Sequence, residues 1–88
     1  MRIWFKEMKG GHILSEVIFE DYGQDTRTHK VFAGLEYACH RLDLPVPIWL
    51  EATVKEFKRH SKARFTGDCF IEEIPFDYLE IEVLEEDW

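Results

Sequence analysis

A pair of glycines separates two runs of alternating apolar residues near the start of the chain. Gly10 and Gly11 follow a run that holds Ile3 and Phe5, and they precede a run whose apolar residues are Ile13, Val17 and Phe19. Alternation with a period of two is typical of a half-buried strand, and paired glycines supply the positive φ angles of a tight hairpin turn. Residues 1–22 therefore predict a β-hairpin with one buried face.

The next segment has the pattern of an amphipathic helix. From about Thr26 to Asp43, apolar residues recur every three or four positions as Val31, Phe32, Leu35, Ala38, Cys39 and Leu42. Asp25 or Thr26 can cap this helix at its start. Gly34 lies inside it at a cost of about 1 kcal/mol relative to alanine, so we expect another element to pack closely there.

Two prolines separate this helix from a second one. Pro45 and Pro47 end the first helix, and Pro47 suits the first turn of the next. We expect the second helix to run to between Ala63 and Phe65 and to be followed by a turn at residues 66–68. Its predicted buried residues are Leu50, Val54 and Phe57, with Ile48 or Trp49 at its entry.

A last strand is predicted over residues 76–83. Its inward residues are Leu79, Ile81 and Val83, while Glu80 and Glu82 point outward. The order of elements is then β-β-α-α-β, in a single domain over residues 1–88. We expect an α+β fold in which a small three-stranded sheet has two helices packed on one face. Placing the last strand beside the first gives the spatial order 2-1-3 and sets Arg2 and Lys6 against the two glutamates.

Charge is segregated along the chain, which has a formal net charge of −7. Residues 55–64 hold one acidic residue and five basic ones, whereas residues 65–88 hold nine acidic residues and no basic one. The basic residues are Lys55, Lys58, Arg59, Lys62 and Arg64. They suggest either a helix face that contacts nucleic-acid phosphates or a solvated surface that meets the acidic C-terminal strand.

The acidic strand in turn either binds a basic protein surface or keeps a sheet edge soluble. Trp88, after these acids, should fold back or contact a partner.

Few residues suggest catalysis or metal binding. His29 and His40 lie about 16 Å apart on one helix, too far to share an ion, which leaves Glu36 with His40 as the one local pair. Cys39 belongs to the apolar stripe, whereas Cys69 lies in an ambiguous segment and could be exposed. No phosphate-binding glycine loop, G-x-S-x-G turn or zinc-ligand spacing occurs. We expect no catalytic, cofactor-binding or metal-binding residues, and an enzyme that uses Glu36, His40 or Cys69 is the third alternative.

The compartment follows from what the sequence lacks. Its longest uncharged run, residues 44–50, is short and holds two prolines, so we expect no membrane span and no secretory segment. Two cysteines do not make a disulfide framework. The sequence predicts a cytoplasmic protein.

The outward side of the first strand is the strongest indication of function. If Ile3 faces the helices, then Trp4 and Met8 face away from them, and Tyr78 and Leu84 of the last strand join them. Aromatic residues and methionine surrounded by charge are typical of a protein interface. We predict a non-enzymatic interaction domain that binds a protein partner or forms a homo-oligomer. The alternatives are a nucleic-acid-associated protein that uses residues 55–64, and a Trp4 that is merely covered by lysine and glutamate side chains.

Four segments resemble parts of small bacterial proteins of unknown function. They are residues 4–9, 25–32, 47–51 and 76–83 (WFKEMK, DTRTHKVF, PIWLE and FDYLEIEV). The resemblance implies a bacterial cytosolic origin, and it implies no activity, cofactor or site residue.

Overall fold

A computed structural model describes residues 1–87 as an antiparallel four-stranded sheet with two helices. The strands and helices in chain order are β1 (Arg2–Lys9), β2 (His12–Glu20), α1 (Arg27–Leu42), α2 (Glu51–His60), β3 (Lys62–Thr66) and β4 (Tyr78–Glu85). The spatial order is β2-β1-β4-β3. The α+β class and the last strand beside the first are confirmed, but the prediction of three strands is wrong. Trp88 lies outside the described residues.

The fourth strand is β3, which occupies residues predicted to end the second helix. α2 ends at His60, and Ser61 has a left-handed φ of 54° and donates its N–H to the Phe57 carbonyl at 2.8 Å. The chain then reverses, and Ala63 and Phe65 enter the core at alternate positions. The prediction failed because lysine, arginine and alanine favour a helix as readily as a solvated strand edge. The predicted start of this helix was also wrong, since α2 begins at Glu51 rather than at Pro47.

The β1–β2 hairpin turns at Gly10 and Gly11, whose φ angles are 57° and 79°. Its register shifts near the turn, because Met8 pairs with Ile13 while the preceding residue of β1 pairs with Ser15. Leu14 is therefore an extra residue in β2. A one-residue insertion reverses the side to which the following side chains point. Ile13, predicted to face inward, consequently lies on the side of Met8 and is 43% exposed.

Helix α1 matches its predicted boundaries and supports the sheet closely. Thr26 caps it by accepting a hydrogen bond from the N–H of His29 at 3.2 Å, and the helix ends at Asp43 in the left-handed region. A Cβ at Gly34 would lie 2.8 Å from the Phe19 ring, which confirms the expected close approach. Phe32 was predicted to be buried, yet it is 49% exposed.

The hydrophobic core lies on one side of the sheet, where both helices pack. α1 contacts β1 and β2, and α2 contacts β3. The core joins strand residues to helix residues, and its strand members include Ile3, Phe5, Phe65, Leu79 and Ile81. From α2 it takes Phe57 and the polar Thr53, whereas Leu50 is exposed and Val54 half-buried. Among residues 1–87, neither helix has the length and apolar composition needed to cross a bilayer.

Candidate interaction face

The side of the sheet opposite the helices is called the open face here. Directly opposed residues of antiparallel strands point to the same side, so the strand pairing orders this face into rows that cross the strands in the order β2, β1, β4, β3. We name three of them: the methionine row (Ile13, Met8, Tyr78, Thr66), the charged row (Glu16, Lys6, Glu80, Arg64) and the tryptophan row (Ile18, Trp4, Glu82, Lys62).

An ion pair lies at the centre of the charged row. The Nζ atom of Lys6 is 2.6 Å from Oε2 of Glu80 and 3.2 Å from Oε1 of Glu82. The Lys6 and Glu80 side chains are only 9% and 7% exposed, although no helix covers them. Burial acts to lower the pKa of Lys6, but hydrogen bonds and charge from the two carboxylates outweigh it, so the pKa is raised. The expected opposition of Lys6 to the glutamates is confirmed, whereas Arg2 pairs in register with Glu85.

Trp4 is held in place by the charged row beside it. The Lys6 Nζ lies 3.8 Å from the centre of the indole ring, and the indole Nε1 donates a hydrogen bond to Glu16 Oε1 at 2.7 Å. A cation over a tryptophan ring contributes about 0.5–1 kcal/mol at an exposed site. Lysine and glutamate side chains thus do contact the ring, as the simpler alternative expected, but Trp4 remains half-buried. Its fixed orientation leaves it little side-chain entropy to lose on binding.

Met8 and Tyr78 are paired across β1 and β4 and are both half-buried. The guanidinium carbon of Arg64 lies 4.6 Å from the centre of the Tyr78 ring. Leu84 lies further along β4, where the register with β1 shifts, and it is 40% exposed. Three of the four predicted interface residues therefore lie in the named rows, and Leu84 lies beyond the end of the tryptophan row.

Two apolar residues of the open face were not predicted from the sequence. Ile18 pairs with Trp4 and is 42% exposed, and Ile13 pairs with Met8. Alternation could have found Ile18, because it lies between the inward Val17 and Phe19. It could not have found Ile13, since the bulge at Leu14 reverses its side.

The five cations of the nucleic-acid alternative are divided between α2 and β3. Lys62 and Arg64 belong to the open face and each approaches Oε1 of Glu80 at 3.9 Å. Lys55, Lys58 and Arg59 lie on α2, which packs against the other side of the sheet. α2 and β3 meet at Arg64, whose backbone N–H donates a hydrogen bond to Oε1 of Glu56 at 3.0 Å. Nucleic-acid binding stays a prediction.

The residues that the sequence analysis suggested for an enzyme lie in separate parts of the molecule. Cys39 is buried, and burial, with a smaller contribution from the charge of Glu7, raises the pKa of its thiol to about 11. Cys69, whose exposure the sequence left open, is buried, with Sγ 3.7 Å from the Thr53 hydroxyl. Glu36 and His40 line a shallow surface concavity on α1. Within residues 1–87, no group of three or more His, Cys, Asp or Glu side chains is placed to hold a metal ion.

An apolar cleft of about 270 Å³ lies between α1 and α2 and is a second candidate surface. Val31, Phe32 and Trp49 line it, with Arg27 and Lys58 among its polar members. The Trp49 Nε1 is buried without a hydrogen-bond partner in the described part of the chain. Protein atoms cover that nitrogen, so a molecule in the cleft could not reach it without displacing them. The open face is a stronger candidate than this cleft, because more of its side chains are held in fixed orientations.

Comparison of this chain with protein-family models, with curated proteins and with solved structures gives no match. The resemblance of its four segments to small bacterial proteins therefore stays a prediction, and the interpretation of the open face rests on its geometry.

Proposed function

We propose that this chain is a non-enzymatic protein-interaction domain that self-associates through the open face. The observation that carries the proposal is the apolar group formed by Trp4, Met8, Tyr78, Ile13 and Ile18 on a sheet face that no helix covers. These side chains lie in two rows, one on each side of the charged row. Exposed or half-buried apolar side chains next to charge are a feature of association surfaces.

The charges at the centre of the open face favour docking because they are already paired. A partner that covers the Lys6–Glu80 pair would remove little water from it, since both side chains are more than nine-tenths buried in the free protein. The indole N–H of Trp4 likewise has its acceptor in Glu16. The usual desolvation penalty for covering charged groups is therefore small at this point, and burial of the apolar side chains is opposed less strongly.

The proposed location is the cytoplasm. Both cysteines are unpaired and buried in the core, where they serve as small apolar residues. A small domain stabilised in this way needs no oxidising compartment.

Sedimentation velocity across the micromolar concentration range tests the proposal. We expect the wild-type chain to shift from monomer to dimer as concentration rises, and Trp4→Ala to raise the dimer dissociation constant by about tenfold or more, as loss of a central aromatic residue does. Phe32→Ala is the matched control, because it removes an exposed aromatic ring from α1, on the helix side of the sheet. A wild-type chain that stays monomeric, or equal effects of the two substitutions, would contradict the proposal.

A further inference from the structure

The charged row of the open face has an antisymmetric pattern of sign. Across β2, β1, β4 and β3 it reads negative, positive, negative, positive, in the residues Glu16, Lys6, Glu80 and Arg64. Its two ends are exposed, because no helix covers Glu16 and the Arg64 side chain is 55% accessible. Reversing the row from left to right therefore exchanges every charge for its opposite.

A two-fold axis along the strand direction, placed between β1 and β4, performs this reversal. It lays β2 of one copy over β3 of the facing copy, and β1 over β4. Glu16 then faces Arg64 of the facing copy, and Lys6 faces Glu80. An axis perpendicular to the strands would instead place Glu16 over Glu16 and Arg64 over Arg64, and like charges in contact oppose association by several kcal/mol.

The same axis also matches the methionine row. Met8 of one copy faces Tyr78 of the other, which brings two half-buried apolar side chains together close to the axis. In the tryptophan row, Ile18 faces Lys62, whose aliphatic stem can cover it while the ammonium group reaches solvent. In the same row Trp4 faces Glu82, whereas the perpendicular axis would place Met8 over Trp4. The charged row alone therefore selects the axis that runs along the strands.

We infer that the partner of the open face is a second copy of this chain, docked face to face about a two-fold axis that runs along the strands. The inference rests on the proposed function and adds the partner and its orientation. Strands β1, β2 and β4 have eight or nine residues and β3 has five. At ~3.3 Å per residue and ~4.8 Å between strands they give a face of roughly 500 Å² per copy. Stable complexes bury about 800 Å² per partner, so the dimer is weak and reversible.

Charge reversal at the two ends of the row tests the orientation. We expect Arg64→Glu and Glu16→Lys each to raise the dimer dissociation constant by about tenfold or more, because each places like charges in contact at both ends of the interface. An equimolar mixture of the two variants should associate as a heterodimer with nearly wild-type affinity, since both end contacts are then complementary again. Sedimentation equilibrium of each variant and of the mixture measures all three constants.

Two further variants test whether a loss of affinity comes from the changed charge or from a folding defect. Glu16→Gln keeps an acceptor for the Trp4 indole N–H but removes the charge, and its loss of affinity should be smaller than that of Glu16→Lys. Lys58→Glu makes the same charge change as Arg64→Glu on α2 and should alter the constant by less than about twofold. Circular dichroism and thermal unfolding establish that each variant folds.

The outcomes distinguish this inference from the proposed function. If the wild type dimerises and Trp4→Ala weakens it, but the mixture associates no better than either charge variant alone, the orientation is wrong and the interaction face remains. A wild-type chain that stays monomeric contradicts both.

Discussion

The two faces of this sheet are built from the same strands and are stabilised in different ways. On the helix side, Ile3, Phe5 and Ile81 are completely buried, and their stability comes from apolar area removed from water. On the open face the centre is almost as inaccessible, but the buried groups are the charged pair Lys6 and Glu80. A buried ion pair adds little net free energy because desolvation offsets its attraction. Alternate residues of one strand can therefore supply stability on one side of the sheet and a fixed charge pattern on the other.

The largest expected effect comes from the helix side. Phe5→Ala should lower the free energy of unfolding by about 3–5 kcal/mol, because it removes a completely buried ring and leaves a cavity. Domains of this kind have only about 5–15 kcal/mol in total, so the variant should be close to unfolding. Urea denaturation followed by circular dichroism measures the loss. Phe5→Leu, which keeps most of the volume, should cost roughly 1–2 kcal/mol; equal losses for the two would mean that the site is loosely packed.

A smaller effect is expected from breaking the ion pair of the open face. Glu80→Ala should cost about 2–3 kcal/mol, somewhat less than the usual loss for a broken buried pair, because Glu82 stays 3.2 Å from Lys6. Replacing both partners by apolar residues, as Lys6→Met with Glu80→Leu, should leave the stability within about 1 kcal/mol of the wild type. Chemical denaturation of the single and double variants compares them. A loss below about 0.5 kcal/mol for Glu80→Ala would show that the pair behaves as a solvated one.

The smallest expected change in stability comes from Gly34, and it compares the packing of the two faces of the sheet. Gly34→Ala should destabilise the domain by about 1–2 kcal/mol through overpacking against Phe19, although alanine favours a helix by about 1 kcal/mol. In a Phe19→Leu background the same substitution should become neutral or stabilising, because the ring that it meets is gone. Ile18→Ala, at the neighbouring position on the open face, is the control and should cost less than about 1 kcal/mol. Thermal unfolding of the four variants measures these differences, and a stabilising Gly34→Ala in the wild-type background would contradict the close packing.

Sequence patterns predicted most of the elements and most of the open face. The paired glycines located the hairpin, the apolar stripe and Thr26 located α1, and alternation placed Trp4, Met8 and Tyr78 opposite the core. The burial of Cys69 was left open, because a short irregular segment carries no periodicity from which burial could be predicted.

The alternation of apolar and polar residues in β1 and β4 was enough to predict which side of these strands faces the helices, because a half-buried strand has one consistent orientation. Tertiary structure decided that residues 62–66 form a strand, since their local preferences favour a helix equally well and only the burial of Ala63 and Phe65 against the core distinguishes the two. It also decided the pairing of Lys6 with Glu80 and the reversal of Ile13, because register and bulges depend on strands that are distant in the sequence.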